Sequence, residues 1–277
     1  MTSKIFRLLC TWLVLFSSQV FSKVVVFPVT GLNLTTYPDN VSQGLVSFLP
    51  DASETTPVYY QLSSFKVNGA DVDKSKLKLK NYYTNGFSSL DRYRAILSGK
   101  EKSNSVTTMF EFKPTWYDVP GVYSGLLTAN INANERINSY KLEPLPEVPI
   151  QVIVSPKTSL SLNPAQFSIA TSSFNTPIIR EVALSFASNK PRWGLYISAE
   201  NLNNSTDKQV ENDRVYVRIK DSLNPKPWVS LARPAEILSG QATPPSDIAT
   251  LEFMVNSKRL DKAGNYLGRI KFFVANK

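Results

Sequence analysis

The same short strand pattern occurs twice in this chain, and this repeat constrains the fold more than any other feature. The first copy, PGVYSGLLTANI, spans Pro120–Ile131, and the second, AGNYLGRIKFFV, spans Ala263–Val274. Aligning the two copies places Gly121 on Gly264, which lies 143 positions further along the chain. So long a spacing indicates a duplicated domain, because solenoid repeats recur every ~20–50 residues. The sequence therefore predicts two related domains, each with this strand near its end.

Apolar residues alternate with other residues in both copies, which is the pattern of a half-buried β-strand. Because side chains at i, i+2 and i+4 share one face of a strand, the alternating residues of the second copy are expected to face a core together. These residues are Ile270, Phe272 and Val274, and they match Leu127, Ala129 and Ile131 of the first copy.

The remainder of the chain has the same β character. Short runs rich in Val, Ile, Thr, Tyr and Phe are broken by Pro, Asn, Gly and Ser, a spacing typical of antiparallel sandwiches. Each repeat also resembles the tyrosine corner of immunoglobulin-like domains, in which an acidic turn, a glycine and a tyrosine open a late strand. We predict an all-β chain of two tandem immunoglobulin-like antiparallel β-sandwiches: a signal peptide at 1–22, the first sandwich at 23–155 and the second at 156–277.

The first 22 residues have the pattern of a secretory signal. Lys4 and Arg7 precede the apolar run Leu8–Phe16, and Val20–Ser22 suits a cleavage site. The run is shorter than the ~20 residues of a membrane span. We therefore expect an exported protein of the bacterial periplasm or cell surface, with no stable membrane span after cleavage.

Two residue types are missing from the predicted mature chain. The sequence has no histidine, and its one cysteine, Cys10, lies within the signal. Their absence excludes Ser–His–Asp triads, cysteine nucleophiles, most zinc sites and an internal disulfide. We predict no enzyme, no cofactor and no metal site. The net charge of +9 favours an anionic surface as partner, and export makes nucleic acid an unsuitable one.

Two segments are candidates for a ligand surface. Strict alternation places four lysines of KSKLKLKN on one strand face, either as a basic row for sulfated or phosphorylated glycans or as a solvent-facing edge that prevents aggregation; they are Lys74, Lys76, Lys78 and Lys80. Trp116 and Tyr117, adjacent at a turn, suit the C–H face of a sugar if their rings are exposed. A surface glycan is therefore one predicted partner.

The end of the chain suggests a different partner. The first sandwich has a further strand, Val148–Val154, after its repeated strand, whereas in the second sandwich the repeated strand ends the sequence. A sandwich without its last strand exposes an unpaired edge and a core groove. Gly264, Ile270, Phe272 and Val274 resemble the C-terminal strand of bacterial fimbrial subunits. The resemblance implies a tip adhesin or subunit whose second domain contacts other protein subunits by strand exchange, with Lys23–Thr30 as a possible donor.

Two features depart from that family: its usual penultimate tyrosine is Asn276 here, and its usual disulfide is missing. The main hypothesis is an exported, non-enzymatic structural or adhesive protein of fimbrial type. The alternatives are a free-standing carbohydrate-binding protein and a periplasmic assembly chaperone. An open edge in the second domain favours a subunit, a cleft between the domains favours a chaperone, and a flat aromatic platform favours a lectin.

Overall fold

The structure is a computed structural model, and most of its described residues form β-strand. It describes residues 27–28, 31–49, 58–97, 106–130, 147–166, 177–204, 209–221, 224, 226–258, 261 and 266–277. Helix is limited in these ranges to two single 3₁₀ turns, Lys74–Lys76 and Asn212–Arg214. None of the described helical segments has the length and apolar character needed to cross a membrane. The predicted signal at 1–22 lies outside the described residues.

Eleven strands of the described chain build the first sandwich. They are β1 (Phe27–Pro28), β2 (Leu32–Thr36), β3 (Ser42–Leu49), β4 (Val58–Val67), β5 (Ala70–Asp71), β6 (Leu77–Lys80), β7 (Ser88–Ser89), β8 (Arg94–Leu97), β9 (Val106–Phe112), β10 (Gly121–Asn130) and β11 (Val148–Val154). One sheet has the order β1-β3-β9-β6-β7, and the other has the order β2-β11-β10-β4-β5, with β8 also pairing β4. Strand β11 runs antiparallel to β10 and parallel to β2.

Another eleven strands follow in the second half. They are β12 (Thr158–Asn163), β13 (Ile178–Ser188), β14 (Trp193–Ala199), β15 (Leu202–Asn204), β16 (Gln209–Val210), β17 (Val215–Ile219), β18 (Val229–Ser230), β19 (Ala235–Gly240), β20 (Thr243–Val255), β21 (Tyr266–Leu267) and β22 (Ile270–Asn276). One sheet has the order β12-β13-β20-β17-β18, and it faces the three strands β19-β14-β22 across the core. A small third sheet has the order β16-β15-β21.

Alternating burial explains why these segments form sandwiches. Strand β11, for example, buries every second side chain and exposes the residues between them, so that one face of the sheet meets the core. The predicted all-β chain of two tandem sandwiches is confirmed. The last parts of the two copies occupy equivalent positions, since β10 pairs with β4 in one sandwich as β22 pairs with β14 in the other. The copies differ before that point, because Tyr266–Leu267 belong to the small third sheet, whereas β10 is continuous from Gly121.

The tyrosine corner is present in the first sandwich. Tyr123 is 1% exposed, and its hydroxyl donates a hydrogen bond of 2.9 Å to the carbonyl oxygen of Val119, four residues upstream. This is the bond that defines the motif. Burial and the nearby Asp118 carboxylate raise the pKa of the Tyr123 hydroxyl, so this group stays a neutral donor throughout the physiological range.

A buried asparagine joins the two sandwiches. Asn189 follows β13 and is fully buried. Its side-chain amide donates 3.2 Å hydrogen bonds to the carbonyl oxygens of Asp118 in the first sandwich and Ser155 in the connecting segment, and its side-chain oxygen accepts 2.7 Å from the Lys157 amide. Because one side chain bonds both the first sandwich and the connection, it fixes the orientation of the two units at this point.

Candidate functional site

The repeated strand has different neighbours in the two sandwiches. In the first, β10 is hydrogen-bonded on one side to β4 and on the other to β11. In the second, the pairings of the described residues give β22 a single neighbour, β14. The outer backbone edge of β22 therefore has no strand beside it in the described part of the chain. Unpaired edges of this kind are templates for pairing with another chain.

The burial of core-facing side chains on the two strands differs in the same way, and the aligned pair whose burial is described on both strands is Leu127 and Ile270. On β10, Tyr123 and Leu127 are 1% and 0% exposed, and Gly125 between them is buried as well. On β22, Ile270, Phe272 and Val274 also pack against the core, but each stays partly exposed. These are the side chains expected to face a core, and the structure places them on the inner face of an uncovered edge strand.

The two cores as a whole show the same contrast. In the described part of the first sandwich, 21 buried apolar residues form the core and only three partly buried ones pack against it. In the second sandwich 12 buried residues are accompanied by 12 partly buried ones. Five of these 12 lie on β12 and β22, where a further strand would supply packing contacts that they lack.

The opposite wall of the uncovered core is the edge strand β12. Leu160 and Leu162 alternate with exposed residues along this strand, are partly buried and pack against the same core as β22. Strand β12 pairs only with β13 among the described strands. We name the surface between these two edges the edge groove; it is lined by Leu160, Leu162, Ile270, Phe272 and Val274.

The first sandwich shows what fills the equivalent position there. Strand β11 lies between β10 and β2, and its four inward side chains are at most 2% exposed: Val148, Ile150, Val152 and Val154. It thus serves as an internal template for a strand that would complete the second sandwich, with apolar residues at four alternate positions.

Contacts on the outer face hold β22 on β14 without covering the edge groove. The rings of Phe273 and Tyr196 stack with centroids 5.5 Å apart and planes 9° apart. Glu236 accepts hydrogen bonds from the Tyr196 hydroxyl at 3.0 Å and from Lys277 Nζ at 2.5 Å. Both bonds lower the pKa of the Glu236 carboxyl, and the bond from Lys277 has the larger effect. The strand is therefore anchored on one side and open on the other.

The segment before the repeated strand is fixed by an ion pair. Arg214, with 9% of its side chain exposed, binds the Asp261 carboxylate through two hydrogen bonds of 2.8 and 2.9 Å. The Lys258 amide donates to the same carboxylate at 2.6 Å. The Arg214 bond is the largest of the contacts that lower the pKa of Asp261. Gly264, also predicted as part of the subunit-contact strand, lies outside the described residues.

The structure corrects the predicted row of four lysines. Lys74 and Lys76 belong to a 3₁₀ turn and not to the strand; Lys74 Nζ donates 2.6 Å to the Ser63 carbonyl oxygen, and Lys76 forms a close ion pair with the nearly buried Asp118. Only Lys78 and Lys80 lie on β6, where they alternate with buried leucines and point to solvent. A ligand-binding role stays a prediction for these two.

The structure also corrects the predicted ligand-binding role of Trp116. Its side chain is 6% exposed, and its indole N–H donates 2.6 Å to the Asp39 carboxylate. Lys157 Nζ lies 5.2 Å from the centre of the Trp116 ring and 4.7 Å from that of Tyr37. Trp116 is therefore packed at the joint between the sandwiches, which leaves no free ring face for a sugar. Tyr117, by contrast, is 67% exposed, and its predicted ligand role stays a prediction.

The N-terminal segment 23–30 is described only at Phe27–Pro28. These two residues pair antiparallel with the end of β3 in their own sandwich. A cleft also lies between the sandwiches, with a volume of ≈ 540 Å³, and its lining includes three cationic residues, Lys190, Arg192 and Lys277.

Sequence reasoning missed the second wall of the edge groove. The alternation Ser159-Leu160-Ser161-Leu162 predicts a strand here, but not its place beside the open edge. That place follows from the pairing of β12 with β13, whose partner residues lie 20 to 30 positions away in the chain.

Comparison with known proteins gave structural similarity alone. No family model and no curated protein matches this sequence. A chain of the CsuC–CsuE chaperone–tip adhesion subunit complex of Acinetobacter baumannii is 11% identical, with a TM-score of 0.43, covering 90% of this chain and 99% of that one. The CupB6 tip adhesin of Pseudomonas aeruginosa is 11% identical with a TM-score of 0.29, covering 91% and 94%. The tandem immunoglobulin domains A164–A165 of titin are 9% identical with a TM-score of 0.24, covering 90% and 94%. At these values the likeness describes the general β architecture and assigns no function.

Proposed function

We propose that this chain is an exported, non-enzymatic structural or adhesive subunit whose second sandwich accepts a β-strand from another polypeptide. The observation that carries the proposal is the difference between the repeated strands. Tyr123 and Leu127 of β10 are buried and have β11 beside them in the same sheet, whereas Ile270, Phe272 and Val274 of β22 stay partly exposed beside an edge with no described neighbour.

The chemistry of the partner follows from the internal template. A strand that pairs with β22 adds backbone hydrogen bonds, and its alternate side chains enter the edge groove. Since β11 places four apolar side chains in the equivalent position, the expected partner segment has apolar residues at four alternate positions. Polar residues between them would face solvent.

Peptide binding tests this proposal. The chain 23–277 is titrated with a fluorescent peptide that carries the β11 sequence, and the control peptide has serine at the four inward positions. We expect saturable binding of the first peptide only, weakened by Phe272→Ser and unchanged by Val122→Ser, since Val122 is 43% exposed in the first sandwich. Equal binding of both peptides, or of neither, would contradict the strand-acceptor function.

The source of the strand is a separate question, which light scattering answers. Because Phe27–Pro28 already pair with β3 of their own sandwich, we expect chains 23–277 and 31–277 to have the same oligomeric state in solution. Dimers or polymers that need residues 23–30 would instead identify the N-terminal segment of a second copy as the donor.

The cleft between the sandwiches supports a second candidate, an assembly chaperone. Its lining by Lys190, Arg192 and Lys277 suits a carboxylate or another anionic group of a client protein. The double variant Lys190→Ala/Arg192→Ala distinguishes the two: client binding that is lost in this variant but kept in Phe272→Ser would favour a chaperone. The reverse result would favour a strand acceptor.

A further inference from the structure

An exposed tyrosine follows the two solvent-facing lysines of β6 in the first sandwich. Tyr82 is 92% exposed, and it lies two residues after Lys80 in the turn that ends the strand. Leaving so large a ring in water gives up the stabilisation that burial would provide. No contact within the described part of the sandwich covers it beyond the neighbouring Tyr83 ring, whose centre is 5.5 Å away at 88°.

The turn that carries Tyr82 is held firmly from below. Asn81 is 9% exposed; its side-chain oxygen accepts 2.9 Å from the Tyr83 amide, and its side-chain nitrogen donates 2.8 Å to the Ala95 carbonyl oxygen on β8. Its own backbone amide donates 3.0 Å to the Thr84 hydroxyl. Because the backbone of this turn is already fixed, it loses little conformational entropy when a ligand binds to Tyr82.

The lysines beside this turn have no ion-pair partner in the part of the chain that the structure describes. Lys78 and Lys80 alternate with fully buried leucines, so that both side chains stand on the outer face of the sheet, about 7 Å apart along the strand. Among the described residues neither lysine has an acidic partner within 4.0 Å. Glu111 lies opposite Lys78, but its carboxylate accepts 3.0 Å from Gln43 on the other side.

Apolar surface adjoins the same row. Strand pairing places Lys80 next to Met109, and Met109 next to Leu45. Leu45 is 59% exposed and Met109 is partly exposed on this outer face. The surface thus combines an exposed aromatic ring, two cations without an acidic partner among the described residues, and exposed apolar side chains.

We propose that Tyr82, Lys78 and Lys80 form a binding site for an acidic polysaccharide. The electron-rich face of the Tyr82 ring stacks on the C–H face of a sugar ring, and the two ammonium groups bind its carboxylate or sulfate groups. The site lies in the first sandwich and does not use the edge groove. It therefore goes beyond the strand-acceptor function, and each can fail without the other.

Polysaccharide binding tests this site. The affinity of the chain 23–277 is measured at several salt concentrations for heparin, for a polyuronate and for neutral dextran. We expect binding to the two acidic polymers alone. Tyr82→Ala is expected to weaken it by about two- to tenfold, and Lys78→Ala/Lys80→Ala to weaken it and to flatten its salt dependence. Leu267→Ala and Lys226→Ala are matched controls, because Leu267 and Lys226 are exposed residues of the second sandwich, and neither is expected to change the affinity.

Several results would overturn the proposal. They are the absence of binding to either acidic polymer at low salt, an equal loss in the control variants, an unchanged affinity of Tyr82→Ala, or a preference for polyglutamate over both polysaccharides, which would indicate an acidic protein partner. Circular dichroism and thermal unfolding check that each variant is folded, as expected for surface substitutions. Saturating the edge groove with the β11 peptide is expected to leave polysaccharide binding unchanged.

Discussion

Supplying the second sandwich with its own additional strand should stabilise it strongly. Strand β22 ends at Asn276, one residue before Lys277. An antiparallel partner therefore needs only a short hairpin loop of about four residues containing glycine. We would append such a loop and a copy of the seven-residue β11 sequence to Lys277. The copy spans about 23 Å, enough to run along the whole of β22.

A matched control isolates the contribution of apolar burial to the stability of the extended protein. The control extension has serine at the positions that correspond to Val148, Ile150, Val152 and Val154, so the two proteins differ in apolar burial and not in length or loop. Full burial of an aliphatic side chain is worth about 1.5–3 kcal/mol, and four of them would contribute on the order of 6–12 kcal/mol. That range is an upper bound, because the unfolded chain already buries part of this surface.

Differential scanning calorimetry measures the outcome. For a domain of this size, each kcal/mol raises the melting temperature by about 2–8 °C. We therefore expect the transition of the second sandwich to move up by at least about 10 °C relative to the serine control, while the transition of the first sandwich stays in place. If both extensions gave the same melting temperature, β22 would not have an open apolar groove beside it, and the strand-acceptor argument would fail.

Three further predictions concern the contacts that support the site. Asn189→Ala leaves buried backbone groups without partners and should destabilise the chain by about 1–3 kcal/mol; small-angle scattering should show a wider range of orientations between the sandwiches, and an unchanged profile would exclude a role as a joint. Tyr123→Phe removes the hydrogen bond to Val119 and should cost about 0.5–1.5 kcal/mol in urea unfolding, whereas a neutral result would mean that the corner adds nothing. The folded-state pKa of Asp261 is lowered, chiefly by Arg214, so its stabilisation is present above the unfolded pKa of about 3.9 and is lost as pH falls through the folded value; acid titration should therefore destabilise the natural chain more than Asp261→Asn, and parallel curves would refute this.

Much of the strand pattern could be predicted because alternation is a local property. The predicted bounds of β11 agree with the structure, and both β4 and β11 alternate core-facing and more exposed residues over most of their length. Strand β2 was missed, since only Leu32 and Leu34 alternate there. Its position depends on parallel pairing with β11, a contact between residues more than 100 positions apart that no local pattern contains.

The candidate ligand residues were harder to predict because they depend on long-range partners. Asp73 precedes the lysine row, and its carboxylate accepts hydrogen bonds from the amide and hydroxyl of Ser75. It thereby caps the 3₁₀ turn that keeps Lys74 and Lys76 off the strand. The Trp116 indole finds its acceptor, Asp39, 77 residues away. A sequence shows that an aromatic residue lies at a turn, but only the folded chain shows which of its faces is free.

The duplicated strand finally allows a comparison within one molecule. Both copies place apolar side chains on the core-facing side, yet those of β10 are buried and those of β22 are partly exposed. The strands share their position in the sandwich and their pairing with the preceding neighbour. The difference in burial therefore comes from the strand on the other side, which is β11 for β10 and no described strand for β22. A strand supplied by a partner, as proposed above, would cover these three side chains as β11 covers those of β10.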